Sequence, residues 1–298
     1  MNRTYRSIWN EALGAWVAAS EHDSARGKPN KSAVVRAVAA AVLVAGTAGN
    51  VAHAQYVAGN SGGGVSATGG QAIAIGGNNG STTTASGATS IAIGANATAS
   101  GNYSQAFGQA TTATGASAIG IGSGAKALNT GATAVGNDTT ASGSSAIAIG
   151  GGNSSGTGGA VAAGTNAIAV GRFSNVNSAT TSGIAIGANA AVTSAGNNAT
   201  ALGSAATAGG AGASALGYGA TAAGTNSLAL GASSTANYAS SVAIGAGSVT
   251  GTAAPAGTGY LTGSAAPLSE VSVGSSTALR RITNVADGGP VRIFVFEA

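Results

Sequence analysis

Large apolar residues in this chain return on a short, regular beat. The unit is apolar–Ala–apolar–Gly: IAIG at 73–76 and 91–94, QAFG at 105–108, IGIG at 119–122, TAVG at 133–136 and IAIG at 147–150. It continues as IAVG at 168–171, IAIG at 184–187, TALG at 200–203, SALG at 214–217, LALG at 228–231, VAIG at 242–245 and VSVG at 271–274. The closing glycines are 18, 14, 14, 14, 14, 21, 16, 16, 14, 14, 14 and 29 residues apart. Seven of the twelve gaps equal 14, so the repeat is one of structure. The longer gaps hold Gly-, Ser- and Asn-rich inserts such as 151–156, which read as surface loops.

Inside a unit the side chains alternate with period two: Ile91 and Ile93 share one face and Ala92 takes the other, which is a strand pattern. A second short run follows, Ala97-Thr98-Ala99 and then Gly101, repeated as Thr111-Thr112-Ala113-Thr114-Gly115 and Ala220-Thr221-Ala222-Ala223-Gly224. Each 14-residue unit reads as strand, glycine turn, strand, Gly or Asn turn: one coil of a two-sheeted parallel β-roll.

One coil cannot stand alone. Burying two branched side chains contributes roughly 3–6 kcal/mol, while fixing fourteen backbones costs roughly 14–28 kcal/mol. The coils must stack at about 4.8 Å, a dozen of them over about 60 Å. The Ile/Val/Leu column is expected to fill the roll, and the alternating Ala column to let another subunit approach closely. Thr98, Thr112, Lys126, Thr140, Thr207, Thr221 and Thr235 hold one offset after the motif glycine and are expected to face outward.

Composition supports a thin architecture. Glycine supplies 52 of 298 residues, charged residues 6% and aromatics 4%, against about 25% charged in an ordinary globular domain. The net charge of +4 is concentrated at the front. Arg3, Arg6, Arg26, Lys28, Lys31 and Arg36 against Glu11, Glu21 and Asp23 leave +3 there, and the remainder is nearly neutral. No footprint for nucleic acid results, and with no cysteine there are neither disulfides nor thiolate metal sites.

The front of the chain is an export leader. Lys31 and Arg36 form a basic region, residues 37–48 an apolar run too short to span a bilayer, and Ala52-His53-Ala54 a small-x-small site with cleavage between Ala54 and Gln55. Such an apolar segment is expected to be helical. Residues 1–28 precede it and hold both tryptophans, Trp9 and Trp16. They resemble the extended signal peptide region of large autotransporters at Asn2, Tyr5, Arg6, Ile8, Trp9, Asn10, Gly14, Trp16, Val17, Ser20, Glu21, Gly27 and Lys28. That resemblance implies export across the inner membrane.

The repeat resembles the YadA-like head repeat of trimeric autotransporter adhesins, of the form S-V-A-I-G. Ser241-Val242-Ala243-Ile244-Gly245 is a literal copy and Ser90-Ile91-Ala92-Ile93-Gly94 nearly one. Residues 269–288 resemble the neck that closes such heads, at Val271, Ser272, Val273, Gly274, Arg281, Ile282, Thr283, Asn284 and Val285. The expected organisation is an extended signal peptide over 1–54 (extended region 1–28, signal sequence 29–54), a linker over 55–70 and head repeats over 71–250. An insert over 251–268, a neck-like element over 269–288 and a divergent tail over 289–298 complete it.

The resemblance implies a left-handed parallel β-roll assembled as a homotrimer, which binds host extracellular matrix or cell-surface ligands. Family members continue into a stalk and a membrane anchor, whereas only ten residues follow Gly288, with room for one strand at 291–296. The expectation is therefore that the outer membrane is reached only through an anchor not present in this chain. Cell-surface display belongs to the family, and a periplasmic or secreted fate to an anchorless form.

No catalytic constellation emerges, and no cofactor or metal is expected. His22 and His53 both lie in the leader, and Asp138 and Asp287 are the only aspartates beyond it. No phosphate-binding loop motif is present, and sequons such as Asn96-Ala97-Thr98 read as incidental to Asn- and Thr-rich turns. The leading function is multivalent, non-catalytic adhesion through the repeats, with no ligand-contacting residue singled out. The alternatives are an ice-binding solenoid, which needs at least two flat Thr columns, and a purely structural surface fibre. A polysaccharide-cleaving β-helix would need clustered carboxylates, which four acids beyond the leader do not supply.

Overall fold

The computed structural model describes residues 5–10, 13–20, 56–58, 64–77, 80–153, 157–259 and 263–284. The chain divides into two compact units, Met1–Ala52 and His53–Ala298.

In the first unit, strands Tyr5–Asn10 and Ala15–Ser20 pair antiparallel. Gly14 takes φ +59 in the connection, and the Leu13 N–H donates to Asn10 Oδ1 at 3.2 Å. Trp9 and Trp16 are direct cross-strand partners, with ring centroids 5.6 Å apart and an interplanar angle of 67°. That edge-to-face geometry is the favoured one for aromatic pairs, and it accounts for both tryptophans of the leader. The helical signal segment at 29–54 and the cleavage site at Ala54 and Gln55 lie outside the described residues.

In the second unit the repeats form a parallel β-roll. Strands such as Ile91–Ile93 join a 14-stranded sheet, and strands such as Thr98–Ala99 a 12-stranded one. Every pairing is with the coil before or after, in register: Ile91 with Ile73 and Gln105, Thr98 with Thr84 and Thr112. The hydrogen bonds follow suit, for example Ile91 N–H to Ser104 O at 2.9 Å and Thr98 N–H to Thr111 O at 2.8 Å. Tyr56–Ala58 and Gly64–Ala67 already belong to these two sheets, so the stack reaches back into the segment 55–70 that the sequence reads as a linker.

Two close approaches explain the glycines. Gly94, with φ +127, sits where a methyl group would come within 2.5 Å of Gly108 O. Gly101 has an ordinary φ, yet a methyl there would come within 2.0 Å of Gly115 O. Coils at strand spacing leave no room for Cβ at these corners. Asparagines close other corners: Asn96 Oδ1 accepts from Thr82 N–H and Asn102 Oδ1 from Ala88 N–H, both at 3.0 Å and both one coil away.

The core is built the other way round from the sequence expectation. Ala92, Ala106, Ala134, Ala148, Ala169, Ala185, Ala201, Ala215, Ala229 and Ala243 are all 0% exposed, and so are Ala99, Ala113, Ala127 and Ala141 on the opposite sheet. The Ile/Val/Leu residues of the motif do not fill the roll. They stand outward, with Ile121, Ile149, Ile186, Leu202, Leu230 and Ile244 exposed by 36% to 44%. Strands of two or three residues joined by tight turns hold the two sheets too close for side chains as long as Ile or Leu, so the interior accepts Ala, Ser, Thr, Gly and an occasional Val. Where one inner position shrinks, a neighbour grows. A methyl on Gly120 would lie 2.8 Å from Thr111 Cγ2, and one on Gly183 2.9 Å from Val176 Cγ1 and 3.1 Å from Val192 Cγ1. Buried hydroxyls mostly return to the backbone, as Thr111 Oγ1 does to Gly122 O at 2.6 Å.

The segment read from the sequence as neck-like adds to the end of the stack. Val271–Ser272 adds a rung onto Val242–Ile244, and the Val249 N–H donates to Gly274 O at 2.7 Å. The insert 251–268 leaves and returns between these rungs, with an antiparallel bridge between Thr258 and Ala265. Arg280 then reaches back over the last coil. Its Nη1 donates to Ser248 Oγ and Val273 O, both at 2.5 Å, and its Nη2 to Ala246 O. The residue that ties this segment to the last coil is thus Arg280, beside Arg281, which is exposed. Of the other motif positions Val285 lies outside the described residues, as does the strand proposed at 291–296. Arg280→Ala should fray the C-terminal coil at a cost of about 1 kcal/mol. Native-state hydrogen exchange should show the amides of Val249 and Thr250 losing protection first, with the amides around Ile149 unchanged.

Candidate functional site: the outward columns of the roll

With the interior filled by small residues, function rests on what the outer faces carry. The 14-stranded sheet presents two columns. One runs through Ile75, Ile93, Phe107, Ile121, Val135, Ile149, Val170, Ile186, Leu202, Leu216, Leu230 and Ile244, without a polar interruption. The parallel column is mixed, with Gln105, Thr133, Thr200 and Ser214 among Ile, Leu and Val. A continuous apolar stripe twelve rungs long marks an interaction surface rather than ordinary exterior.

The 12-stranded sheet presents the single column foreseen from the sequence. Thr84, Thr98, Thr112, Lys126, Thr140, Val161, Asn175, Ala191, Thr207, Thr221 and Thr235 follow one another in register. The threonines are half-buried and Lys126 is exposed. Each of these strands is only two residues long beyond the N-terminal coils, so within the strand one side chain points out and one in. Among the described residues no group of three or more His, Cys, Asp or Glu is placed to hold a metal ion.

Two families match this arrangement. Residues 1–50 match the Extended Signal Peptide of Type V secretion system. Residues 85–111, 113–139, 127–153, 158–174, 194–220 and 222–248 match the YadA head domain repeat. The chain belongs to the trimeric autotransporter adhesins. Among solved structures it is similar to the collagen-binding domain of the Yersinia adhesin YadA, at 24% identity over 68% of this chain and 75% of that one, with a TM-score of 0.34. No curated protein sequence matches it. For this adhesin the signal region indicates export, and the family places its members at the cell surface. The repeat matches fall on the coils whose inner alanines and outer aliphatics are described above, so both columns are features of the repeat.

Sequence reasoning assigned these residues to the right faces relative to one another and to the wrong side of the roll. A signal for the correct side was present. Alanine recurs in both strands of the coil, at 92 and 99, 106 and 113, 134 and 141, whereas large aliphatics recur in only one. A closed two-sheet interior needs a matching column from each sheet, and only alanine provides two.

Proposed function

We propose that this adhesin head works as a homotrimer whose chains meet through the apolar columns of the larger sheet. The threonine-bearing sheets and turns then face matrix or cell-surface ligands, which many weak contacts hold without catalysis. The observation that carries this reading is the unbroken apolar column on a chain whose own core is complete without it. Covering what remains exposed contributes about 1 kcal/mol per side chain, on the order of ten for twelve rungs, comparable with the ~4–15 kcal/mol cost of association. Three copies of each rung around one axis add avidity without new contacts.

The ice-binding reading is disfavoured by the single threonine column and its breaks at Lys126, Val161, Asn175 and Ala191. A distributed binding surface predicts graded loss. Deleting one coil, 204–217, should leave a β-rich circular dichroism spectrum intact and lower adhesion to collagen- or fibronectin-coated surfaces by a modest factor. Deleting two coils should lower it further. Complete loss on removal of one coil, with the fold intact, would contradict a distributed surface.

A further inference from the structure

We propose that the middle of the head carries one discrete site for an acidic polysaccharide, built where the repeat is broken. Lys126, Asp138 and Arg172 are the only charged residues between 71 and 250. They fall within four consecutive rungs, because Lys126 aligns with Thr140, Thr140 with Val161 and Val161 with Asn175. That is a span of about 14 Å at strand spacing. The same stretch contains the 21-residue interval between Gly150 and Gly171, the longest within the head.

The parts are held in place. Phe173 sits in the left-handed region at φ +60, with its N–H donating to Gly158 O at 2.9 Å. Its ring lies over Gly158, where a methyl group would meet Phe173 Cζ at 2.9 Å. The ring is nonetheless 43% exposed. Arg172 stacks on that ring, its guanidinium carbon 4.5 Å from the centroid. No protein acceptor takes the Arg172 donors among the described residues, and Lys126 is likewise exposed and unpaired. Asp138 is occupied by Asn137, whose Nδ2 donates to Asp138 Oδ2 at 2.7 Å and to Asn153 O at 2.6 Å.

The result is an exposed aromatic ring that carries an unused donor fork over one face, with a second cation three rungs away. A guanidinium fork matches a carboxylate or sulfate in bidentate fashion, while the exposed ring can take the apolar face of a sugar. An extended acidic peptide fits less well. The rungs here are hydrogen-bonded to their neighbours on both sides, so they offer no sheet edge to augment. The site deepens the adhesin reading by naming a ligand class for one place on the head, and it rests on that reading only for its display at the surface.

The test is direct binding of the exported full chain to heparin and to hyaluronan, with poly-glutamate as the peptide probe. Heparin or hyaluronan should bind with an affinity that falls as salt rises. Arg172→Ala should weaken it on the order of tenfold or more. Phe173→Asn, which keeps a residue tolerant of the left-handed turn, should also weaken it, and Lys126→Thr, which restores the threonine column, to a smaller extent. All three variants should keep the wild-type thermal midpoint. Three results overturn the site: wild-type chain that binds neither polysaccharide, folded Arg172→Ala that binds as well as wild type, or poly-glutamate that binds as tightly as the polysaccharides. If adhesion to protein-coated surfaces persists while polysaccharide binding fails, only this site falls. Graded loss on coil deletion addresses the distributed reading separately.

Discussion

Replacing Ala148 by leucine is expected to unfold the middle of the head, although leucine is the more hydrophobic residue. Ala148 is 0% exposed and aligns with Ala134 and Ala169 on the neighbouring rungs. The sheets on either side of it are held at their separation by tight glycine and asparagine corners. Three added carbons have nowhere to go without parting the sheets. Overpacking of a close-packed core costs roughly 1–3 kcal/mol where the surroundings relax, and here relaxation would break rungs above and below, so a cost at or above the top of that range is expected. Thermal denaturation should show a midpoint lowered by many degrees or a loss of cooperative melting. The adjacent Ile149→Ala, 41% exposed in the chain itself, should leave the secondary structure of a coil unchanged.

Placing aspartates on the outward column is expected to break the assembly and spare the coils. In Ile149→Asp combined with Leu202→Asp, each carboxylate stands on the aliphatic face rather than inside the roll. Within one chain the new charges face water and cost little. Within a trimer, three copies of each would be buried together without partners, at several kcal/mol per site. Size-exclusion chromatography with light scattering should therefore report the single-chain mass for the double variant, with the β-type circular dichroism of the wild type retained. Loss of all β structure in this variant would mean that the column is part of the chain's own core.

The contrast between these variants marks what the sequence could and could not convey. The 14-residue period, the placement of strands such as Ile91–Ile93 and Thr98–Ala99, the turn glycines and the outward Thr98–Thr112–Thr140 column all follow from local pattern, because period two and glycine's left-handed φ are local properties. Which face is interior is not local. Alternation says that Ile93 and Ala92 oppose each other, and burial preference puts isoleucine inside. The gap between the sheets decides otherwise, and it is set by turn geometry and by the approach of Gly94 to Gly108 and Gly101 to Gly115. The hairpin at the front shows the same limit: Trp9 and Trp16 match an extended signal region in sequence, yet their meaning as a cross-strand pair emerges only once Tyr5–Asn10 and Ala15–Ser20 are aligned. Arg172 and Phe173 are adjacent in the sequence, but their neighbourhood with Asp138 and Lys126 depends on which rungs pair, Thr140 with Val161 and Val161 with Asn175.

The central claim is that a complete alanine core leaves the aliphatic column for other copies of the same chain. Sedimentation equilibrium of the exported head at micromolar concentration tests it most directly. The account predicts a single species of three times the chain mass, with no folded monomer. A stable, β-rich monomer with its aliphatic column open to water would contradict it.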